Sequence, residues 1–152
     1  MKLSTRGRYA LRFMVALAKE GGEKAPVTLE SICHKTGMSK KYLEQIAIPL
    51  KKAGVLRGVA GRRGGYLLGR KKEEISLGSI VQAAIGPLSI VDCVGDPDGC
   101  EKSGSCETRL IYQLINAGIQ QVLCGHSLAD LADSRRLEAI IQQLELQSVP
   151  RC

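Results

Sequence analysis

No run of apolar residues in this chain approaches the ~18 that a bilayer-spanning helix needs, and the opening Met1-Lys2-Leu3-Ser4-Thr5-Arg6 lacks the apolar core of a secretion signal. Both absences point to a cytoplasmic protein without a membrane partner. Thiols stay reduced there, so the six cysteines read as ligands, buried small hydrophobes or redox sensors, not as a disulfide framework. Histidine is scarce: His34 and His126 are the two present, and neither has an acid or nucleophile in a recognisable arrangement, which argues against an enzyme. Also missing is any C-x2-C knuckle, the usual mark of a structural zinc site.

What the chain has is an uneven charge. Of its net +7, residues 1–75 carry 17 Lys and Arg against 6 Asp and Glu, and the remainder 5 against 9. The N-terminal half therefore faces a polyanion, unless the bias merely solvates a surface. At 152 residues and 44% hydrophobic, the chain suffices for one compact domain or for one that carries a long appended element.

Apolar spacing predicts the order of elements. Tyr9, Ala10, Phe13, Met14 and Leu17 mark a first helix over Arg8 to Ala18, capped by Ser4 or Thr5. Thr28 opens a second, with Leu29, Ile32 and Cys33 inward, which ends at Thr36-Gly37. Ser39 caps a third, with Tyr42, Leu43, Ile46 and Leu50 inward and Lys40, Lys41, Glu44 and Gln45 outward. Two helices across the tight Thr36-Gly37-Met38 turn form a helix-turn-helix. Val55 to Ala60 and Tyr66 to Leu68 then read as strands of a hairpin whose tip is Gly61-Arg62-Arg63-Gly64-Gly65.

A fourth helix starts at the Ser76 cap, buries Leu77, Ile80, Val81 and Ala84, and stops at Gly86-Pro87. Leu88 to Ser105 shows no period and reads as a loop. Beyond Cys106, the positions Ile111, Ile115, Gly118 and Val122 make a helical seam suited to a second copy of the chain. A last helix, capped by Ser127 with Asp130, is expected to bury Leu137, Ile140, Ile141 and Leu144, followed by a frayed tail to Cys152. The expected fold is mainly α with a small β-hairpin wing. Its parts are a winged helix-turn-helix over 1–86, a cysteine-rich loop over 87–106 and a helical dimerisation region over 107–152.

Two constellations carry chemistry. Lys40 and Lys41 suit phosphate or guanine, Gln45 adenine and Glu44 cytosine N4, while Arg62 and Arg63 on a narrow glycine tip suit the minor groove. Such a tip could also cradle a nucleotide phosphate or be an ordinary hairpin, but no P-loop lysine and helix follow it. The residues assigned to double-stranded DNA are Lys2, Ser39, Lys40, Lys41, Tyr42, Glu44, Gln45, Arg62 and Arg63. The second constellation is Cys93-x6-Cys100-x5-Cys106, three thiols able to wrap one metal centre. An iron-sulfur cluster fits that spacing; a thiol switch and inert loop cysteines are the alternatives.

Leu3-Ser4-Thr5-Arg6-Gly7-Arg8-Tyr9-Ala10, Tyr42-Leu43-Glu44-Gln45 and Gly64-Gly65-Tyr66-Leu67-Leu68-Gly69 resemble the Rrf2-type winged helix-turn-helix transcription regulators of bacteria. The resemblance covers nearly the whole chain. It implies that the third helix enters the major groove, the wing enters the minor groove and the helix after Cys106 forms a homodimer on a palindromic operator. It further implies a [2Fe-2S] or [4Fe-4S] cluster on Cys93, Cys100 and Cys106, whose state alters DNA affinity. Some cluster-binding members place a histidine where this chain has Arg109, others an acidic residue at the position of Arg8, and the position before the wing glycine, often basic, is Ala60. Cys124 follows Cys106 by eighteen residues, ~27 Å along an unbroken helix, too far to complete the set within one subunit. That leaves Glu107, Asp92, a residue of a partner subunit or a small molecule as the fourth ligand. A different class of function stays open: a cluster-free thiol-redox or zinc-containing regulator acting through a protein partner such as a metabolic enzyme.

Overall fold

The computed structural model describes residues 3–146, so Lys2 and the tail through Cys152 lie outside the described residues. It is mainly helical with one two-stranded antiparallel hairpin. Helix α1 spans Thr5–Lys19, α2 Leu29–Thr36, α3 Lys40–Lys52, and the hairpin strands β1 and β2 are Leu56–Val59 and Gly65–Leu68. Helix α4 spans Leu77–Ile85, α5 Asp92–Gly95, α6 Glu107–Gly125, α7 Leu128–Ala132 and α8 Ser134–Leu146.

Each of the first four helices starts where a hydroxyl satisfies an otherwise orphaned N–H. The side chains of Ser4, Thr28, Ser39 and Ser76 accept from the backbone of Gly7, Ser31, Tyr42 and Ser79 respectively. α2 ends at Gly37, whose φ of 69° requires the left-handed region. The inward faces meet in one core built from Ala10, Phe13, Met14, Leu17, Ile32, Leu43, Ile46, Leu50, Ile75 and Ile80. Tyr9, Tyr42, Leu29 and Cys33 only border it.

Phe13 joins this core to the wing. Its ring is fully buried and stands edge-on to Tyr66 of β2, with centroids 5.7 Å apart. Phe13→Ala is expected to cost about 3–5 kcal/mol and to lower the melting temperature by on the order of 10 °C, read by thermal denaturation. A drop of a degree or two would show that the helical core stands without this ring.

Three departures from the sequence reading have physical causes. The region 88–105 is not a plain loop: it contains α5 and a 3-10 turn at Pro97–Gly99, both too short to show a period. The last helix is broken, because Asp133 adopts an extended conformation after α7 and its carboxylate accepts the Arg135 N–H at 2.9 Å, capping α8 afresh. Leu137, Ile140, Ile141 and Leu144 are not buried; Ile141 and Leu144 stay 47% and 64% exposed, since nothing in the described chain covers that face of α8. The fully buried Leu128 of α7 instead belongs to the core beside α1.

Asp130 ties α7 down, accepting from Ser127 N at 2.8 Å and from Arg136 at 3.2 Å. Burial pushes its pKa up, but the Ser127 N–H and the Arg136 guanidinium outweigh this and hold it below the ordinary carboxylate value. A depressed folded-state pKa stabilises above the unfolded value and ceases to do so as pH falls through the folded one. Asp130→Ala is expected to cost about 1 kcal/mol at pH 7, and less as pH falls below about 4, read as converging melting curves of variant and wild type.

Candidate nucleic-acid interface and cysteine loop

The helix-turn-helix places α3 so that Ser39, Lys40, Lys41, Glu44 and Gln45 are all exposed, while Leu43, Ile46, Ala47 and Leu50 fix the opposite face in the core. Tyr42 is half-buried between the two faces. Its ring meets that of Tyr9 edge-on at 5.6 Å, and Arg12 lies over Tyr9 with 5.7 Å from guanidinium to centroid. The ring of Tyr42 thus packs against α1.

The wing is clamped on both sides. β1 and β2 pair from Leu56↔Leu68 to Val59↔Gly65, and Val27 exchanges two backbone hydrogen bonds with Tyr66 across the other edge of β2, at 2.9 and 2.8 Å. Gly65 lies in the strand and not in the tip, and no side chain fits there, because a Cβ would overlap the Val27 carbonyl. The tip turn closes by Gly64 N donating to the Gly61 carbonyl, with Gly61 at φ 105°. Arg62 and Arg63 stand exposed on that turn. Burial, and then the charge of Glu44 on α3, raise the Tyr66 phenol above its ordinary pKa.

The three loop cysteines occupy distinct places. Cys93 lies in α5, Cys100 follows the 3-10 turn, and Cys106 is the residue before α6; each is partly exposed and free. The Cys106 sulfur lies 3.2 Å from the Thr108 hydroxyl. That hydroxyl, then the Arg109 N–H, lower the thiol below its ordinary pKa against a small opposing effect of burial; the Thr108 N–H and the Arg109 charge add to the lowering. Among the described residues no three His, Cys, Asp or Glu side chains stand close enough together to hold a metal ion. α6 is unbroken to Gly125, which leaves Cys124 far along the helix from Cys106.

Three residues to which the sequence assigned no structural role hold this loop. Arg109 donates from Nε to the Cys93 carbonyl at 3.0 Å and from its guanidinium to the Ser103 carbonyl at 3.4 Å. Asn116, buried within the apolar stretch of α6, accepts from Ile90 N at 3.2 Å, and Gln120 donates to the Leu88 carbonyl at 3.3 Å. The interruption of an apolar run by Asn116 was the available signal, since a buried amide needs a partner.

Residues 3–134 match the Rrf2 family model, described as an iron-dependent transcriptional regulator. The chain is 37% identical over 132 residues to the HTH-type transcriptional regulator CymR of Bacillus subtilis, spanning 87% of this chain and 90% of that one. It is 34% identical over 140 residues to the HTH-type transcriptional regulator IscR of Aliivibrio salmonicida, spanning 92% and 82%. The solved structure of B. subtilis CymR, titled the global cysteine regulator, superposes with a TM-score of 0.71 at 35% identity, covering 87% of this chain and 96% of that one. That of IscR from T. potens superposes at 0.69 and 29% identity, covering 100% and 94%. These relatives are regulators and not enzymes. Among the described residues, no helix is long and apolar enough to cross a membrane. The chain belongs to the Rrf2 family of DNA-binding, winged-helix transcription regulators.

Proposed function

We propose that the protein binds a palindromic operator as a homodimer and that its affinity is set by an iron-sulfur cluster, [2Fe-2S] or [4Fe-4S], on Cys93, Cys100 and Cys106. Residues 1–86 read DNA, 87–106 sense and 107–152 dimerise. Ser39, Lys40, Lys41, Tyr42, Glu44 and Gln45 meet the major groove, Arg62 and Arg63 the minor groove, and Lys2 adds a contact from the N-terminus. The observation that carries control is the pinning of the cysteine loop to α6 by Arg109, Asn116 and Gln120. A rearrangement of the loop then acts on the helix whose apolar seam faces outward, and through it on the spacing of two reading helices.

The donor chemistry suits a cluster: three thiols, one drawn toward thiolate, with the Arg109 guanidinium on the Cys93 carbonyl and its charge acting on Cys106. The geometry asks for a movement, because no ligand group is preassembled. Gathering the thiols requires Arg109 to follow the Cys93 carbonyl or release it. A bound cluster would supply a centre whose charge and integrity respond to iron, oxygen or nitric oxide.

The absence of a preassembled ligand group among the described residues, and a structural neighbour titled a cysteine regulator, favour a second reading in which the same thiols act without a cluster, through oxidation or a protein partner. Anaerobic purification followed by an absorption spectrum and iron and sulfide counts separates the two. The cluster reading expects a brown protein whose operator affinity changes when the cluster is removed and in Cys93→Ala, Cys100→Ala and Cys106→Ala. A colourless protein whose affinity responds to thiol oxidation supports the second reading, and indifference to all three substitutions sinks both.

A further inference from the structure

We propose that Ile48 is a base-reading residue that receives the C5-methyl group of a thymine in the major groove, beside the base met by Gln45. The inference rests on α3 being the helix that enters that groove. Of the aliphatic residues in α3, Leu43, Ile46, Ala47 and Leu50 are buried, yet Ile48 is 52% exposed. It lies at the i+7 position from Lys41, i+4 from Glu44 and i+3 from Gln45, on the face that carries the polar readers. The rise from Gln45 to Ile48 is about 4.5 Å, comparable with one base-pair step of about 3.4 Å.

A second observation gives the position a shape. Ile48, Gln45, Tyr42 and Ile46 line one open cleft of about 260 Å³, together with the exposed Arg6 from the start of α1. Its exposed apolar wall is the Ile48 side chain, Ile46 being fully buried beneath it; the Gln45 amide and the Arg6 guanidinium belong to the same cleft. In the major groove the thymine methyl is the apolar feature available to such a wall, while an amide pairs with adenine N6 and N7 and a guanidinium takes phosphate. Pro49, which follows Ile48, has no N–H, so the Gln45 carbonyl lacks its usual helical donor and is left free on this side of α3. A single exposed isoleucine elsewhere on the surface would need no explanation. Here it completes a cleft whose other members match an A·T step.

The test uses the full chain and a duplex selected by it from a randomised DNA library. Thymines of that duplex are then replaced by deoxyuridine one symmetric pair at a time, which removes the methyl group and nothing else. One invariant thymine pair is expected, and its replacement should weaken the wild type roughly fourfold per half-site, the worth of one buried methyl, and roughly fifteenfold for the whole site. Ile48→Ala should bind the thymine duplex more weakly by a similar factor and lose nothing further on the uracil duplex. Ile48→Thr, checked like Ile48→Ala for an unchanged melting temperature, should show the same insensitivity. A selected site without an invariant thymine, or an undiminished uracil penalty in Ile48→Ala, overturns the assignment and leaves the operator reading intact. Recovery of no duplex at all overturns both.

Discussion

Replacing Arg62 and Arg63 together by Ala is expected to weaken operator binding by about three orders of magnitude. The wing tip carries both guanidiniums on an exposed turn, so a dimer presents four of them to DNA. Groove and phosphate contacts by arginine are each worth about 1–3 kcal/mol; at the lower end, four of them amount to ~4 kcal/mol, or roughly a thousandfold. The same change should reduce the slope of log K against log salt by about 3 to 4, because each lost phosphate contact removes nearly one released counterion. Neither arginine touches the core, and the tip turn is closed by the Gly64 to Gly61 backbone hydrogen bond, so the melting temperature should hold. Fluorescence anisotropy at four or five salt concentrations reads both quantities. An unchanged slope would take the wing off the DNA and leave the charge of the N-terminal half to α3 and α1.

The helix-turn-helix and the wing were legible in the sequence because their signals are local. Ser4, Thr28, Ser39 and Ser76 cap helices as short-range hydrogen-bond acceptors, and each cap was readable from the residues that follow it. The wing was legible from its glycines, although Gly65 serves the strand: its lack of a Cβ answers to Val27, nearly forty residues earlier in the chain, a contact that no local window contains. The C-terminal half was harder for two reasons. A capping aspartate at 133 is invisible inside a continuous apolar period, so α7 and α8 read as one helix. Periodicity also identifies an apolar face without saying what covers it, and for α8 the described chain supplies no cover.

The cysteine loop shows the same limit at the site itself. Spacing put three thiols on one short segment, but the bonds from Arg109 to the Cys93 carbonyl and from Ile90 to Asn116 depend on α6 returning alongside the loop. Those bonds give the loop a mechanical connection that ligand spacing alone does not imply. Arg109, in the first turn of α6, holds two loop carbonyls. On the proposed reading, chemistry at Cys93 or Cys106 is expected to reach the first turn of α6 through these bonds, whichever agent reacts there.

The outer face of α6 makes the second large effect. Leu110, Ile111, Leu114 and Val122 are between 57% and 68% exposed and Ile115 is 37% exposed, a contiguous apolar strip that a lone soluble domain rarely leaves in water. Ile111→Glu with Leu114→Glu would set two carboxylates of each chain against two of its partner in the middle of that strip. Both positions are already open to solvent in the single chain, so helicity and the wing should survive, while sedimentation should report a monomer. A monomer engages one half-site, and binding should fall from the specific range of about 10 nM or tighter to the non-specific range of about 1–100 μM, a loss of at least a hundredfold. The variant should also become indifferent to the spacing between half-sites, which a dimer fixes near one helical turn or a multiple of it. A stable dimer that keeps tight, spacing-dependent binding would move the interface to the uncovered face of α8, where Leu144→Glu is the corresponding test.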